Sequence, residues 1–304
     1  MFKYHILALL IGTILDYVFG RIYSLWNPFD SIKNFAIYLQ RALLGDEIIL
    51  TEPSKQKSLG LWMLILVLFP VFVIITFFTT LFYEINLAFG IIFEAIACYF
   101  CIEYNYTHKI SDQIMGDYYS DGFDAMVNSC HTFIDEDKNL ETEARATEAT
   151  VTFIANNTSD SIIGPIFIMF FFGPIGGFLY KTLDIVDGII GYHNNRFEYF
   201  GYYTATLNKI VNYIPSRFSG ALVIFCSKYT FGEFNHKNAR YIHLRDRIKA
   251  ISAFAGALGF KLKDGQTGDD DTVATAKDIR RANRLLKNSY LVIQLVLVIL
   301  LVFF

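Results

Sequence analysis

Lys181, Asp184 and Asp187 interrupt an otherwise apolar run of the chain. At about 100° per residue these three side chains fall with Gly188 and Gly191 on one third of a helix circumference. A cation, two carboxylates and two glycines on one face form a polar stripe that a ligand or partner can approach closely. Ionisable groups at membrane depth are costly and usually face a cavity or the interior of a bundle, so the stripe reads as a site. The plainer alternative is an i,i+3 pair between Lys181 and Asp184, with Asp187 merely at the interface.

The stripe sits in an unusual setting. Two apolar runs, Ile162–Phe172 and Ile175–Leu183, meet at a Gly-Pro-x-Gly-Gly turn from Gly173 to Gly177. Each is shorter than the roughly 20 residues a helix needs to cross a bilayer. Asn156, Asn157, Thr158, Ser159 and Asp160 edge the first run. A re-entrant hairpin would bring that polar edge beside the stripe and add Asp160 to it. Thr158, Ser159 and Asp160 have a simpler use as helix caps.

The surrounding chain must supply a membrane scaffold. Of its 304 residues 54% are hydrophobic, and the mean hydropathy is +0.37, too apolar for an ordinary soluble domain. The expected fold is an all-α integral membrane protein: a multi-helix bundle with a short-helix, re-entrant central hairpin and cytoplasmic helical loops. The net charge of −3 is segregated along the chain, and no basic tract with interleaved aromatics points to nucleic acid. Cys98 and Cys101 form a CxxC inside the apolar run Asn86–Ile102, without a second ligand pair. They read as small apolar residues, not as a redox or zinc motif.

The order along one polytopic domain is then as follows. Residues 4–103 hold membrane helices and a connector. The first helix, Tyr4–Phe19, contains His5, Thr13 and Asp16 and lacks a small-x-small cleavage site, so it is read as retained. Phe35, Leu39, Leu43 and Leu44 give the connector an amphipathic face, followed by a polar turn. Ser58–Phe82 is the clearest span, and Asn86–Ile102, interrupted only by Glu94, returns. Residues 104–155 are a soluble acidic helical insert, packed through Ile110, Ile114, Phe123, Met126, Val127 and Cys130. Residues 156–217 are the central motif region. Residues 218–304 hold a basic cytoplasmic loop, the small-residue helix Ala250–Phe260 and a C-terminal membrane helix. Five or six membrane-embedded segments are expected in the cell membrane. The Arg280–Lys287 cluster places most of the polar mass on the cytoplasmic face.

Four strings of the central region, in order and spacing, resemble one family. They are NTSDSIIGPIF (Asn157–Phe167), YKTLDIVDGIIGY (Tyr180–Tyr192), NNRFEYFG (Asn194–Gly201) and VNYIPSRF (Val211–Phe218). Together they resemble the CbiB/CobD family of cobalamin biosynthesis, the adenosylcobinamide-phosphate synthases. DYVFG (Asp16–Gly20), Asn27-Pro28 and AGALGF (Ala255–Phe260) are similar to further family segments. Departures mark a divergent member. Glu148, Thr152, Asn156 and Asn157 stand in a family pattern R-x-x-x-E-x-x-x-EN. Asp184 replaces a family Asn. Thr206, Asn208 and Lys209 replace one Arg and two Asp.

The resemblance implies a membrane-bound, ATP-dependent ligase that joins adenosylcobyric acid to aminopropanol phosphate or a related amine phosphate. Such chemistry needs carboxylates for Mg²⁺, basic groups for phosphate and donors around an acyl oxyanion. No P-loop string occurs. On this reading Asp160, Lys181 and Asp187 are catalytic, and Asp184 and Asp187 hold Mg²⁺ for ATP. Asn157, Thr158, Tyr192, Arg196, Asn212 and Arg217 bind substrate, with Phe197–Tyr203 lining a cavity for the corrinoid. The partners are the corrinoid, the amine phosphate, the lipid bilayer and a second copy in a homo-oligomer. A non-catalytic paralogue of the same fold, an AmpE-like regulator or sensor, is the alternative. A transporter built on the paired short helices ranks below it.

Overall fold

A computed structural model describes residues 2–22, 25–45, 52–134, 140–191, 196–246, 249–263, 265–269 and 272–303. Among them are thirteen α-helices and one π-helical turn, with a lone bridge between Leu262 and Thr267 in place of any sheet. The bundle core is α1 (Phe2–Phe19), α3 (Pro53–Ile85), α4 (Leu87–Cys101), α8 (Gly164–Ile190) and α13 (Ala276–Phe303). α3 extends the span read from the sequence at both ends. It is about 50 Å long at 1.5 Å per residue, and exposes Trp62, Phe69, Phe72 and Phe77, as a lipid-facing helix does. Asn86 ends it and starts α4, its side chain accepting from the Ala88 N–H at 2.8 Å. α1 runs alongside α4 in the same direction: His5 meets Glu94 near one end, and Asp16 accepts the Tyr104 and Asn105 N–H groups near the other. Tyr290 pins α13 into this layer by donating to the Thr13 carbonyl at 2.7 Å and stacking on Tyr104 at 4.2 Å.

Among the described residues four helical stretches are long and apolar enough to cross a bilayer, or five if α9 (Tyr202–Val211) and α10 (Tyr213–Tyr229), bent by 47°, count as one span. The third stretch, Glu143–Ile190, is folded back on itself. Gly173 sits at φ 62° and ψ −162° inside α8, a conformation that glycine adopts without Cβ strain, and Pro174 follows. Beyond this break Met169 packs against Gly177 and Lys181 Nζ reaches Ser161 Oγ at 3.1 Å. The two arms, 164–172 and 174–190, therefore lie antiparallel, as the hairpin reading requires.

Pro174 has no N–H for the Phe170 carbonyl. His5 Nε2 takes that carbonyl instead at 3.3 Å, while its Nδ1 meets Glu94 and Tyr83 donates to the other Glu94 oxygen. The hairpin tip is thus clasped by one polar cluster from α1, α3 and α4.

The acidic segment forms α5 (Tyr104–Asp121), α6 (Phe123–Phe133) and α7 (Glu143–Asn157). Ile110, Ile114, Met126 and Cys130 are buried, as their spacing predicts. Asn283 of α13 holds α5 through Ser111 and Asp112, each at 2.8 Å. α11 (His236–Asp246) and α12 (Lys249–Leu258) cover the same end. Ala250, Ala253, Phe254 and Ala255 of α12 are fully buried, the close packing that small residues permit. In the connector helix α2 (Pro28–Leu44) the inward face is Phe29, Ala36 and Gln40, while Phe35 is exposed. The polar turn read after Leu44 falls mostly on residues 46–51, outside the described residues.

Candidate functional site

The mouth of the hairpin begins where α7 passes into a π-helical turn, Thr158–Ile163. π-turns inside helices are rare and recur at functional sites. This one replaces the capping role read for Thr158, Ser159 and Asp160. The Thr158 hydroxyl is fully buried and donates to the Ile154 carbonyl at 2.7 Å, within its own helix. The widened turn puts Ser161 opposite Lys181 and leaves Asp160 half-buried.

Lys181 is 4% exposed. Its ammonium donates to Glu103 Oε2 at 2.8 Å and to Ser161 Oγ at 3.1 Å. The Glu103 N–H in turn donates to the Ser161 carbonyl at 3.1 Å. Asp184 also lies within electrostatic reach of the ammonium. The i,i+3 pair is therefore only part of the answer, because the principal partner comes from the start of α5. A buried ammonium with two fixed acceptors is positioned, not merely neutralised.

Tyr180 organises the other side. Its hydroxyl donates to Asn212 Oδ1 and lies in the electrostatic field of Asp160 and Asp184. Asn212 donates to Asn208 Oδ1 at 2.7 Å, and Asn208 donates to Asp187 Oδ2 at 2.6 Å. A relay of three hydrogen bonds thus joins the π-turn level to Asp187. The remaining carboxylate oxygen, Asp187 Oδ1, is buried and accepts no hydrogen bond among the described residues. Gly191 gives it room, for a Cβ there would overlap that oxygen. A buried carboxylate oxygen without a donor suits a cation or a donor brought by a ligand.

The structure therefore gathers Asp160, Lys181, Asp184, Asp187 and Asn212 at one end of the hairpin, with Asn157 half-buried at the end of α7 beside them. It places the other named residues elsewhere. Arg196 donates to the Gly45 carbonyl at 2.8 Å and sits over Phe197, tying the segment before α9 to the connector. Arg217 is exposed on α10, donating to the Tyr213 carbonyl at 2.9 Å over the Tyr213 ring. Tyr192 lies outside the described residues. Of the aromatic segment Phe197–Tyr203, Phe200 is core, packed on Gly60 of α3, and Tyr202 is exposed beneath Lys57 at 4.1 Å.

Glu103, Ser161, Tyr180 and Asn208 were not singled out from the sequence. The available signal for Glu103 was its position, the first ionisable residue after the apolar run Asn86–Ile102. Asn208 stands where the resembled family has Asp, and Asp184 where it has Asn. The two positions flank Asp187, one across on α9 and one a turn earlier on α8. One carboxylate is thus exchanged for another around the same centre.

Two openings border this polar layer. A small cleft is lined by Glu103, Asp16, Arg21, Asn27 and Tyr106. On the other side Tyr180 closes an apolar groove of about 830 Å³ between α3 and the hairpin, lined by Leu64, Leu68, Phe72, Phe172 and Leu207. The described residues hold no cluster of three or more His, Cys, Asp or Glu side chains arranged for a metal ion. A Mg²⁺ site here would rest on one or two carboxylates plus ligand phosphates, the usual arrangement for nucleotide-bound Mg²⁺.

A family model described as CobD/Cbib protein matches residues 9–286. A cobalamin biosynthesis protein CobD of Clostridium perfringens is 27% identical over 92% of this chain and 93% of its own length. A second, from Pelobacter propionicus, is 34% identical over 38% of this chain and 37% of its own. A probable cobalamin biosynthesis protein CobD of Methanococcus aeolicus is 42% identical over 25% of this chain and 24% of its own. No solved structure matches the chain.

Proposed function

Because the chain belongs to the CobD/CbiB protein family of cobalamin biosynthesis, we propose that it is a membrane-bound, ATP-dependent amide ligase. It joins the carboxylate of adenosylcobyric acid to the amine of aminopropanol phosphate or a close relative such as ethanolamine phosphate. The observation that carries this reading is the convergence of Asp160, Lys181, Asp184 and Asp187 at the mouth of the hairpin.

The division of labour proposed here rests on these contacts. Asp187, with one oxygen held by Asn208 and the other without a donor, would hold Mg²⁺ together with Asp184 and the nucleotide phosphates. ATP would phosphorylate the carboxylate, so that phosphate leaves as the amine forms the amide, and Mg²⁺ would neutralise the phosphate charge. Lys181, fixed by Glu103 and Ser161, presents a positive charge to oxygen that becomes anionic as the amine attacks. Asp160 beside Tyr180 takes the proton that the amine loses. Asn212 positions: both ends of its amide are engaged, by Tyr180 and by Asn208. The Lys/Arg-rich end, with Arg280, Arg281, Arg284 and Lys287 on the first turns of α13, faces the cytoplasm on the positive-inside rule. That side holds the nucleotide and both substrates.

A non-catalytic paralogue is the second reading, and one observation favours it: Asn208 is an amide where the family string carries a carboxylate. Equilibrium binding of Mg-ATP to the detergent-purified protein separates the two. Saturable binding that is lost in Asp187→Ala supports the ligase. A folded protein that binds no Mg-ATP, with corrinoid present, sinks it and leaves the paralogue.

A further inference from the structure

α10 is tied at both ends to one layer of the bundle. At its start Asn212 is held by Tyr180, next to Lys181, which pairs with Glu103. At its end Thr230 accepts from Asn288 at 2.8 Å, two residues before Tyr290, which stacks on Tyr104 beside Glu103. Both ends therefore hang from the same Glu103–Tyr104–Tyr290 layer. Ile214, Phe218 and Phe225, on one stripe of this helix, are all exposed. A helix held in one layer with an open apolar stripe has the form of an interfacial helix.

Beside that stripe α10 and α11 frame a groove of about 860 Å³. Its polar wall is Arg217, Arg240 and His243, and its apolar bed is Ile224, Phe225 and Leu244. Among the described residues no carboxylate lines it. Arg217 spends one N–H on the Tyr213 carbonyl and lies flat on the Tyr213 ring at 3.5 Å, which fixes its plane and leaves donors over. Exposed Arg240 has no ion-pair partner among the described residues. His243 is anchored by Ser252 at 3.2 Å.

The geometry points to a seat for an anionic phospholipid: its phosphate between Arg217 and Arg240, its glycerol near His243, and an acyl chain along Ile224, Phe225 and Leu244. Two arginines without a carboxylate select a negative headgroup. The apolar bed, continuous through Phe225 with the open stripe of α10, selects an amphiphile. A soluble phosphate would leave that bed facing water. The seat begins one turn beyond Asn212, so a bound lipid braces the helix that carries the positioning amide of the hairpin mouth. The inference stands independently of the ligase reading.

Native mass spectrometry of the delipidated full chain in detergent tests it. Phosphatidylglycerol and phosphatidylcholine of identical acyl chains are titrated separately, with glycerol 3-phosphate as soluble competitor. Phosphatidylglycerol should be retained about tenfold more strongly than phosphatidylcholine. The Arg217→Gln/Arg240→Gln double variant should lose that preference, and both sites are exposed enough that it should keep the wild-type melting temperature. Leu244→Asp should weaken both lipids while wild-type charge selectivity disappears. Equal retention of the two lipids, or a preference unchanged in the double variant, overturns the proposal. Displacement of phosphatidylglycerol by an equal concentration of glycerol 3-phosphate overturns it in favour of a soluble phosphate site.

Discussion

At the tip of the hairpin, His5, Glu94 and Tyr83 close on one another and on the Phe170 carbonyl that Pro174 leaves free. At its mouth, Lys181 pairs with Glu103 and Asp187 is held on one oxygen by the Asn208 amide, with Asp160 and Asp184 close by. Glu103 is 30% exposed, and Asp187 keeps an oxygen that no donor fills. One cluster clasps the tip of the hairpin from α1, α3 and α4 and the other lies at its mouth, and both put carboxylates into an apolar bundle. The tip is closed on itself: both Glu94 oxygens are engaged, one by His5 and the other by Tyr83. The mouth carries more carboxylate than cation and opens on two clefts. The lesson is that an ionisable residue in a membrane segment marks a site only when its partners do not already use it up.

Breaking the tip should have the largest effect on stability. Glu94→Leu leaves His5 and the Tyr83 hydroxyl without their shared acceptor in a buried place, and should cost about 3–5 kcal/mol. Thermal unfolding in detergent would show it, while Mg-ATP affinity of the folded fraction stays at the wild-type value. A variant that melts normally would erase the contrast between the two ends.

Lys181→Met should show the opposite balance. Glu103 is open enough to be solvated, so the stability loss should be nearer 1–3 kcal/mol. Amide formation, measured on the folded protein with the corrinoid and amine phosphate, should fall at least a hundredfold. Unchanged turnover would reduce Lys181 to a structural pair.

Gly191→Ala sharpens the comparison further, because it touches only the mouth. The added methyl must push Asp187 Oδ1 aside and also crowds the Asp187 carbonyl. Mg-ATP affinity should drop about tenfold, equivalent to 1.4 kcal/mol, with a smaller fall in melting temperature than Glu94→Leu gives. Tight binding in this variant would mean that Asp187 is not a cation ligand.

The smallest effect should come from outside both clusters. Hydrogen bonds from Arg245 hold the Asp246 carboxyl below the usual carboxylate range, opposed by burial and assisted by Thr267 and the Gly268 N–H. Its contribution is complete above the ordinary carboxylate pKa and is lost as pH falls through the lowered folded value. Asp246→Asn should therefore lower the melting temperature slightly at neutral pH and flatten its decline below about pH 4. A melting curve with the wild-type acid slope would remove Asp246 from the account.

Much of the site was legible in sequence because helical spacing is local. Lys181, Asp184 and Asp187 share a face whatever the tertiary fold, and the Gly-Pro break at 173–174 announces a reversal. Arg196 and Arg217, read as substrate ligands, lie apart from the hairpin mouth. A family string tells which residues travel together but not where each side chain points, and these two reach Gly45 and the α10 groove. The pairings of Glu103 and Asn208 could not be read because each meets its partner across a large sequence separation, 78 residues for Lys181–Glu103 and 21 for Asn208–Asp187.

The sequence by itself determined the all-helical membrane scaffold, the hairpin and the polar stripe, because composition, 3.6-residue periodicity and a glycine–proline break act over a few turns. The family strings also belong to it. Only the tertiary structure decided which charges are consumed and which remain. Pairing across helices depends on the register of α1, α4, α5 and α9 against the two arms, and that register comes from packing rather than from the spacing of any one segment.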